Sequence, residues 1–394
     1  MTARSPVRAL PAGIWALGFV SMFMDISSEL VHSLLPALLT TVLGVSVATL
    51  GMIEGVAEAI AQFTKLFSGA VSDWLGKRKL LAVIGYGLAA VTKPIFPLAT
   101  SVGWVATARF VDRVGKGIRG APRDALVADL VTPGTRGAAF GLRQALDSVG
   151  AFVGPLLAVV LMAAFSDDIQ AVLWIAVVPA MLSVACLVFG VREPDRPAGA
   201  ANGKPKATLA GARALPRAFW IVVAVGAVFT LARFSEAFLV LRAQDVGMPI
   251  GQVPLVMVVM NVVYAAVAFP AGALADRTGA KGLLAAGLVV LVASDVLLAL
   301  AQGVWLVYAG AALWGLHMAL TQGLLAKLVV DAAPVALRGT AFGVFYFVAG
   351  LATLAASGIA GWLWDAIGAD ATFFAGAAFA AVTLIGLAIV QTEK

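Results

Sequence analysis

The chain has 394 residues, 61% of them hydrophobic and 12% charged, with a formal net charge of +6 and a mean hydropathy of +0.99. About a quarter of the residues of a soluble globular domain are charged, so this composition excludes an ordinary soluble enzyme or binding module. The single cysteine, Cys186, lies in an apolar run and excludes an intrachain disulfide or a thiolate metal cluster.

Apolar runs of roughly 20 to 30 residues recur along the chain, each long enough to cross a hydrocarbon core of about 30 Å. Twelve fall near residues 12–43, 47–75, 79–100, 103–130, 137–165, 170–190, 218–243, 252–275, 281–301, 303–330, 339–364 and 370–391. Helices are expected, because backbone in lipid must bond within its own segment. The first run follows Arg4 and Arg8, as a secretory signal would, but it is too long and contains Asp25 and Glu29. It reads as a retained first helix. Segment 191–217, rich in Pro, Gly, Ala, Lys and Arg, reads as a linker between residues 1–190 and 218–394, each expected to form a six-helix bundle.

Lys and Arg outside the runs cluster at the N-terminus, at Lys77, Arg78 and Lys79, in the linker, and at Arg136, Arg277, Lys281, Arg338 and Lys394. The alternate connections, 44–47, 100–103, 301–304 and 365–370, carry none, and Arg242 is the nearest exception. That asymmetry predicts cytoplasmic termini and a cytoplasmic linker. The net charge is therefore a topology signal, and basic residues dispersed over loops do not suggest nucleic-acid binding. Trp104, Trp305, Trp362 and Trp364, near the ends of runs, read as interfacial belt residues.

An ionisable group at mid-bilayer costs about 2.5–3.5 kcal/mol on insertion scales. Asp25, Glu29 and His32 share one helical face in the first run, as do Glu54, Glu58, Gln62 and Lys65 in the second. Arg109, Asp112, Arg113, Lys116 and Arg123 form a stripe on the fourth, and Arg143 and Asp147 lie on the fifth. The second half is less charged, with Arg233, Glu236, Asp295, His317 and Lys327. The candidate cavity residues are Asp25, Glu29, His32, Glu54, Glu58, Arg109, Asp147 and Glu236. Burial makes a carboxyl hold its proton and a nearby arginine opposes this, so motion separating Arg109 from Glu29 or Asp25 would link protonation to conformation. A static set of interhelical ion pairs is the alternative for each stripe. His32, His317 and several methionines in the runs also leave open a metal or metal-chelate cargo; no resident metal is expected.

One motif occurs twice. Gly69, Asp73, Gly76, Lys77 and Arg78 return as Gly272, Asp276, Arg277 and Gly279, an offset of 203 residues from Asp73 to Asp276. Asp129 with Arg136-Gly137 returns as Asp331 with Arg338-Gly339, offset by 202. Two stretches sharing nearly one offset indicate an internal duplication. Gly69 and Gly76 suit close helix approach and a tight turn. Asp73 is placed to accept from the amides of another helix N-terminus, and Lys77 or Arg78 to pair with Asp129.

The first copy resembles the signature loop between the second and third helices of the major facilitator superfamily, and the resemblance spans essentially the whole chain. Arg109 resembles that superfamily's buried arginine. Gly150, Gly154 and Pro155 resemble its antiporter motif, although Leu156-Leu157-Ala158 stands where further glycines are usual. The resemblance implies twelve helices in two pseudo-symmetric six-helix bundles that alternate access across a bacterial inner membrane. It also implies that Asp73 meets the eleventh helix near Gly339, and that the loop contacts break when the cytoplasmic side opens. The expected function is proton-coupled export of a small amphiphilic or cationic compound by a monomer, with a proton gradient and no cofactor. Import, or transport of a metal ion, metal chelate or charged metabolite, is the alternative. Enzyme and sensor readings lack support: there is no HExxH, no complete phosphate loop and no Gly-x-Ser-x-Gly elbow.

Overall fold

The computed structural model describes residues 10–132, 135–193, 214–278, 280–321, 324–334 and 337–389. The side chains of Asp73, Asp276 and Arg277, Gly279 and most of the expected linker (194–213) lie outside the described residues. The regular elements among those residues are all helical. They are α1 (Ala12–Ala37), α2 (Val47–Leu75), α3 (Arg78–Thr92), α4 (Ile95–Leu98), α5 (Val102–Asp129), α6 (Arg136–Ala164), α7 (Ile169–Ile175) and α8 (Val177–Gly190). The second half continues with α9 (Arg217–Leu231), α10 (Ala237–Asp245), α11 (Leu255–Thr278), α12 (Ala280–Ala299), α13 (Val304–Thr321), α14 (Leu324–Ala332), α15 (Arg338–Ala366) and α16 (Ala369–Ile389).

Among the described residues nine helical segments are long and apolar enough to cross a membrane. α2 and α5 are as long but carry too many polar and charged side chains to count by hydropathy. Phe189 is 87% exposed and Phe269 86%, a surface that is unfavourable in water and natural against lipid. The chain is a multi-pass membrane protein.

Packing divides it into two compact units, Met1–Leu34 with Ile60–Pro205, and Leu35–Ala59 with Lys206–Lys394. In the first, α3 packs along α5 and α8. Ile14, Leu17, Val20 and Met24 of α1 join Tyr86, Ala89, Leu126 and Leu187 in one core. In the second, α12 packs on α13 and α16, α11 on α13, and α9 on α15. Leu35–Ala59 belongs there because Gly51 and Gly55 let the start of α2 lie on α15. A Cβ at Gly51 would stand 2.3 Å from Ser357 O, and one at Gly55 2.9 Å from Leu354 O. Asp365 also accepts hydrogen bonds from Val47 N (3.2 Å) and Ala48 N (2.8 Å), capping the helix.

Two irregularities were not visible in the apolar pattern. Pro36 is followed by a π turn over Leu38–Val42, where Thr40 Oγ1 donates to Pro36 O at 2.8 Å. The expected run 218–243 is broken at residues 232–236, between α9 and α10. There Ser235 Oγ accepts from Ala237 N (3.3 Å), while Ser357 Oγ accepts from Ser235 N (3.2 Å). Side chains thus satisfy backbone donors that the broken ladder leaves open. Trp104, Trp305 and Trp362 are exposed, but Trp364 packs on Phe238 and Phe373 instead of lying free at a span end.

Candidate transport site

In the first unit two glycines set the register between α1 and α6. A Cβ at Gly150 would stand 2.5 Å from Met22 O and 2.9 Å from Asp25 Cβ, and one at Gly154 2.8 Å from Ile26 O and 2.9 Å from Glu29 Cβ. No side chain fits at either position, so the helices approach backbone to backbone. This approach puts Asp25 beside Asp147, with Arg119 and Glu29 as its other charged neighbours. Glu29 Oε2 lies 3.5 Å from His32 Nδ1, with Lys116 and Arg113 of α5 close by.

From Asp147 a polar network continues to α5. Arg143 donates to Asp147 (3.4 Å) and lies 3.9 Å from Asp124, which accepts from Arg123 (3.0 Å). Arg123 also donates to Ser21 (3.4 Å). Arg119 is 5% exposed and lies over the Tyr86 ring at 4.7 Å.

Arg109 is 2% exposed and stands, with Arg119, among the charged neighbours of Asp112 and Lys93. Lys93 Nζ donates to Asp112 Oδ1 (2.9 Å) and Ser28 Oγ (3.1 Å). Lys93 and Arg119 were not among the sequence candidates. A lysine inside run 79–100 was the available signal for the first. The second continues the α5 stripe at the Asp112, Lys116, Arg119, Arg123 spacing.

Glu54 and Glu58 fall in the second unit, while Gln62 and Lys65 on the same helical face fall in the first. Glu54 Oε2 accepts from Ser235 Oγ at 3.2 Å, beside Glu236 at the break before α10. Arg233, in the same break, lies over the Phe229 ring at 5.7 Å. His317 Nδ1 is 2.8 Å from Gly287 O, and no group of three His, Cys, Asp or Glu side chains among the described residues is arranged to hold a metal ion.

At the repeated motif, Gly76 adopts φ +65° after α2, and its N–H donates to Ser72 O, ending the helix as a left-handed glycine does. Arg78, not Lys77, donates to Asp129 and to Ala125 O (2.9 Å). A Cβ at Gly69 would meet only Ala121 Cβ, at 3.5 Å, and one at Gly272 nothing, so space demands neither glycine. Pro155 lies within α6 beside Gly154.

The family model of the Major Facilitator Superfamily matches residues 17–241 and 235–394. The chain belongs to the Major Facilitator Superfamily. This superfamily member is 33% identical over 387 residues to an uncharacterised MFS-type transporter of Methanocaldococcus jannaschii, covering 95% of the chain and 94% of that protein. It is 30% identical to the multidrug resistance protein MdtH of Photorhabdus laumondii over 158 residues, 40% of the chain and 36% of that protein. Among solved structures a point mutant of the nucleoside transporter NupG aligns with a TM-score of 0.78 at 12% identity, covering 96% of the chain and 99% of NupG. That last likeness is one of fold.

Proposed function

We propose that the chain is a proton-coupled exporter of a small amphiphilic or cationic compound, working as a monomer by alternating access in a bacterial inner membrane. In this reading α3–α4, α7–α8, α9–α10 and α13–α14 each join across a short break. With the remaining helices they make twelve spans in two six-helix bundles.

The observation that carries it is Asp25 beside Asp147, with Glu29 one turn away and Arg119 as the neighbouring cation. Two carboxyls in contact suit one exchangeable proton, and a cation that approaches or withdraws changes how firmly it is held. A cationic substrate competing for the same carboxyls would displace that proton, which is the requirement for antiport. A proton crossing 100 mV supplies about 2.3 kcal/mol, and each pH unit about 1.4 kcal/mol. The partial likeness to a multidrug resistance protein supports the direction and the substrate class.

Everted vesicles containing the chain, energised and loaded with a pH-sensitive dye, test this. A panel of lipophilic cations should include compounds that release the acid-inside gradient, and Asp25→Asn should abolish the release. Proton-linked export that is intact in both Asp25→Asn and Asp147→Asn would remove the pair from the mechanism. A second reading, transport of an anionic metabolite, is favoured by Lys93, Arg109, Arg113 and Arg119, four buried cations on α3–α5. Competition by organic anions and not by cations would select it.

A further inference from the structure

Asp295 of α12 has no place in the site above. It is 0% exposed, and neither carboxyl oxygen has a hydrogen-bond partner among the described residues. A Cβ at Gly376 of α16 would stand 2.7 Å from Asp295 Oδ2 and 2.9 Å from Phe234 Cε1, so the bare glycine makes room for the carboxyl. Phe234 in turn packs on Trp314 (5.4 Å) and Phe373 (5.6 Å).

The titratable groups on the elements around it are Lys281 on its own helix, Tyr308 and His317 on α13, Tyr264 on α11, Arg242 and Asp245 on α10 and Asp370 on α16. Arg233 and Glu236 stand in the break that carries Phe234. None of these forms a hydrogen bond or ion pair with Asp295. Asp276 and Arg277 of α11 and Lys327 and Asp331 of α14 lie outside the described side chains. A carboxylate out of water needs donors or a cation to be tolerated, and neither oxygen of Asp295 is bonded to one among the described residues, the buried Trp314 indole N–H included. A neutral carboxyl fits there.

A cavity of about 410 Å³ opens near the same end of α12, lined by Arg242, Asp245, Ala299, Ala301, Gln302 and Asp370 among others. Ala299 is four residues beyond Asp295, about 6 Å along the helix at 1.5 Å per residue. Arg242 holds that end of α12 closed by donating to Leu298 O, Ala299 O and Ala301 O.

We propose that Asp295 is a proton-binding site of the second unit, filled in this conformation and exchanging its proton with water of the Ala299–Gln302 cavity. The exchange is an acid–base step: the Asp295 O–H bond breaks, the proton passes to a water, and the carboxylate persists only while water reaches it. The site does not depend on Asp25 being a coupling group, because the two carboxyls stand in different units.

Infrared spectra of the full chain in lipid nanodiscs test it. Asp25→Asn, which removes the carboxyl pair of the first unit, is expected to keep the C=O stretch of a protonated carboxyl in an apolar setting, shifting in D₂O and lost when Asp295→Asn is added. A band that persists when Asp295→Asn is added to Asp25→Asn, one that never shifts in D₂O, or no band at all in Asp25→Asn overturns the proposal. If Asp295→Asn does not fold, the unaltered chain is treated with dicyclohexylcarbodiimide, an apolar reagent that adds the O–H of a protonated carboxyl across its C=N bond. Peptide mapping should find the N-acylurea on Asp295 in a yield that falls several-fold from acid to alkaline pH. An unmodified Asp295 at acid pH, or a yield indifferent to pH, overturns it.

Discussion

Lys93 Nζ stands 2.9 Å from Asp112 Oδ1, and the two side chains are 2% and 4% exposed. A buried pair of this kind contributes little net stability, yet removing one partner strands the other charge at a cost of about 3–5 kcal/mol. Lys93→Met and Asp112→Asn are each expected to lower the thermal midpoint of the purified protein substantially. The double variant should lie nearer to wild type than the sum of the single changes. Strict additivity in that cycle would show that the two groups do not compensate one another.

The crossing of α1 and α6 gives a sharper contrast. Gly150→Ala drives a methyl to within 2.5 Å of Met22 O, an overpacking that costs about 1–3 kcal/mol. Gly137→Ala, with nothing within 4 Å of the new methyl, should leave the midpoint unchanged or slightly raised. Equal midpoints for the two variants would contradict the close approach.

Asp365 caps the N-terminus of α2 through Val47 N and Ala48 N. Asp365→Ala should cost about 0.5–2 kcal/mol, the usual loss for removing a side-chain cap. Asp365→Asn keeps an acceptor and should retain most of the stability. The readout is again the thermal midpoint, with a conservative Asp365→Asn loss as large as that of Ala speaking against a capping role.

Arg242 offers three nitrogens where lysine offers one. Its guanidinium reaches the carbonyls of Leu298 (2.9 Å), Ala299 (3.0 Å) and Ala301 (2.8 Å). An ammonium cannot fill that fork, so Arg242→Lys should lose one or two hydrogen bonds worth about 0.5–1.5 kcal/mol each. Amide exchange at residues 298–302 should rise with it, while exchange in α3 and α5 stays at the wild-type level.

Helical membrane segments and an internal repeat are properties of the linear pattern, since hydropathy over about 20 residues and an offset of 203 residues from Asp73 to Asp276 need no partner to be read. The acids of α1 were legible for the same reason: a charge in an apolar run is conspicuous wherever it points. Their partners were not. The sequence offered Arg109 as a cation for Asp25 or Glu29, and only the packing shows Arg119 near Asp25 and Lys116 and Arg113 near Glu29. Lys77 and Arg78 were equivalent as text, and only Arg78 reaches Asp129. The break before α10 was hidden because the residues on both sides are equally apolar.

The order of residues alone therefore determined the solvent this protein lives in, its apolar helices and its twice-used motif, because each follows from hydrophobicity and repetition along one dimension. Which helices touch decided the rest. Gly150 and Gly154 bring α1 against α6, Gly376 leaves a hollow for Asp295, and Ser357 with Glu54 holds the interrupted segment at Ser235. Each depends on a side chain meeting, or failing to meet, an atom far away in the chain, which only the folded packing supplies.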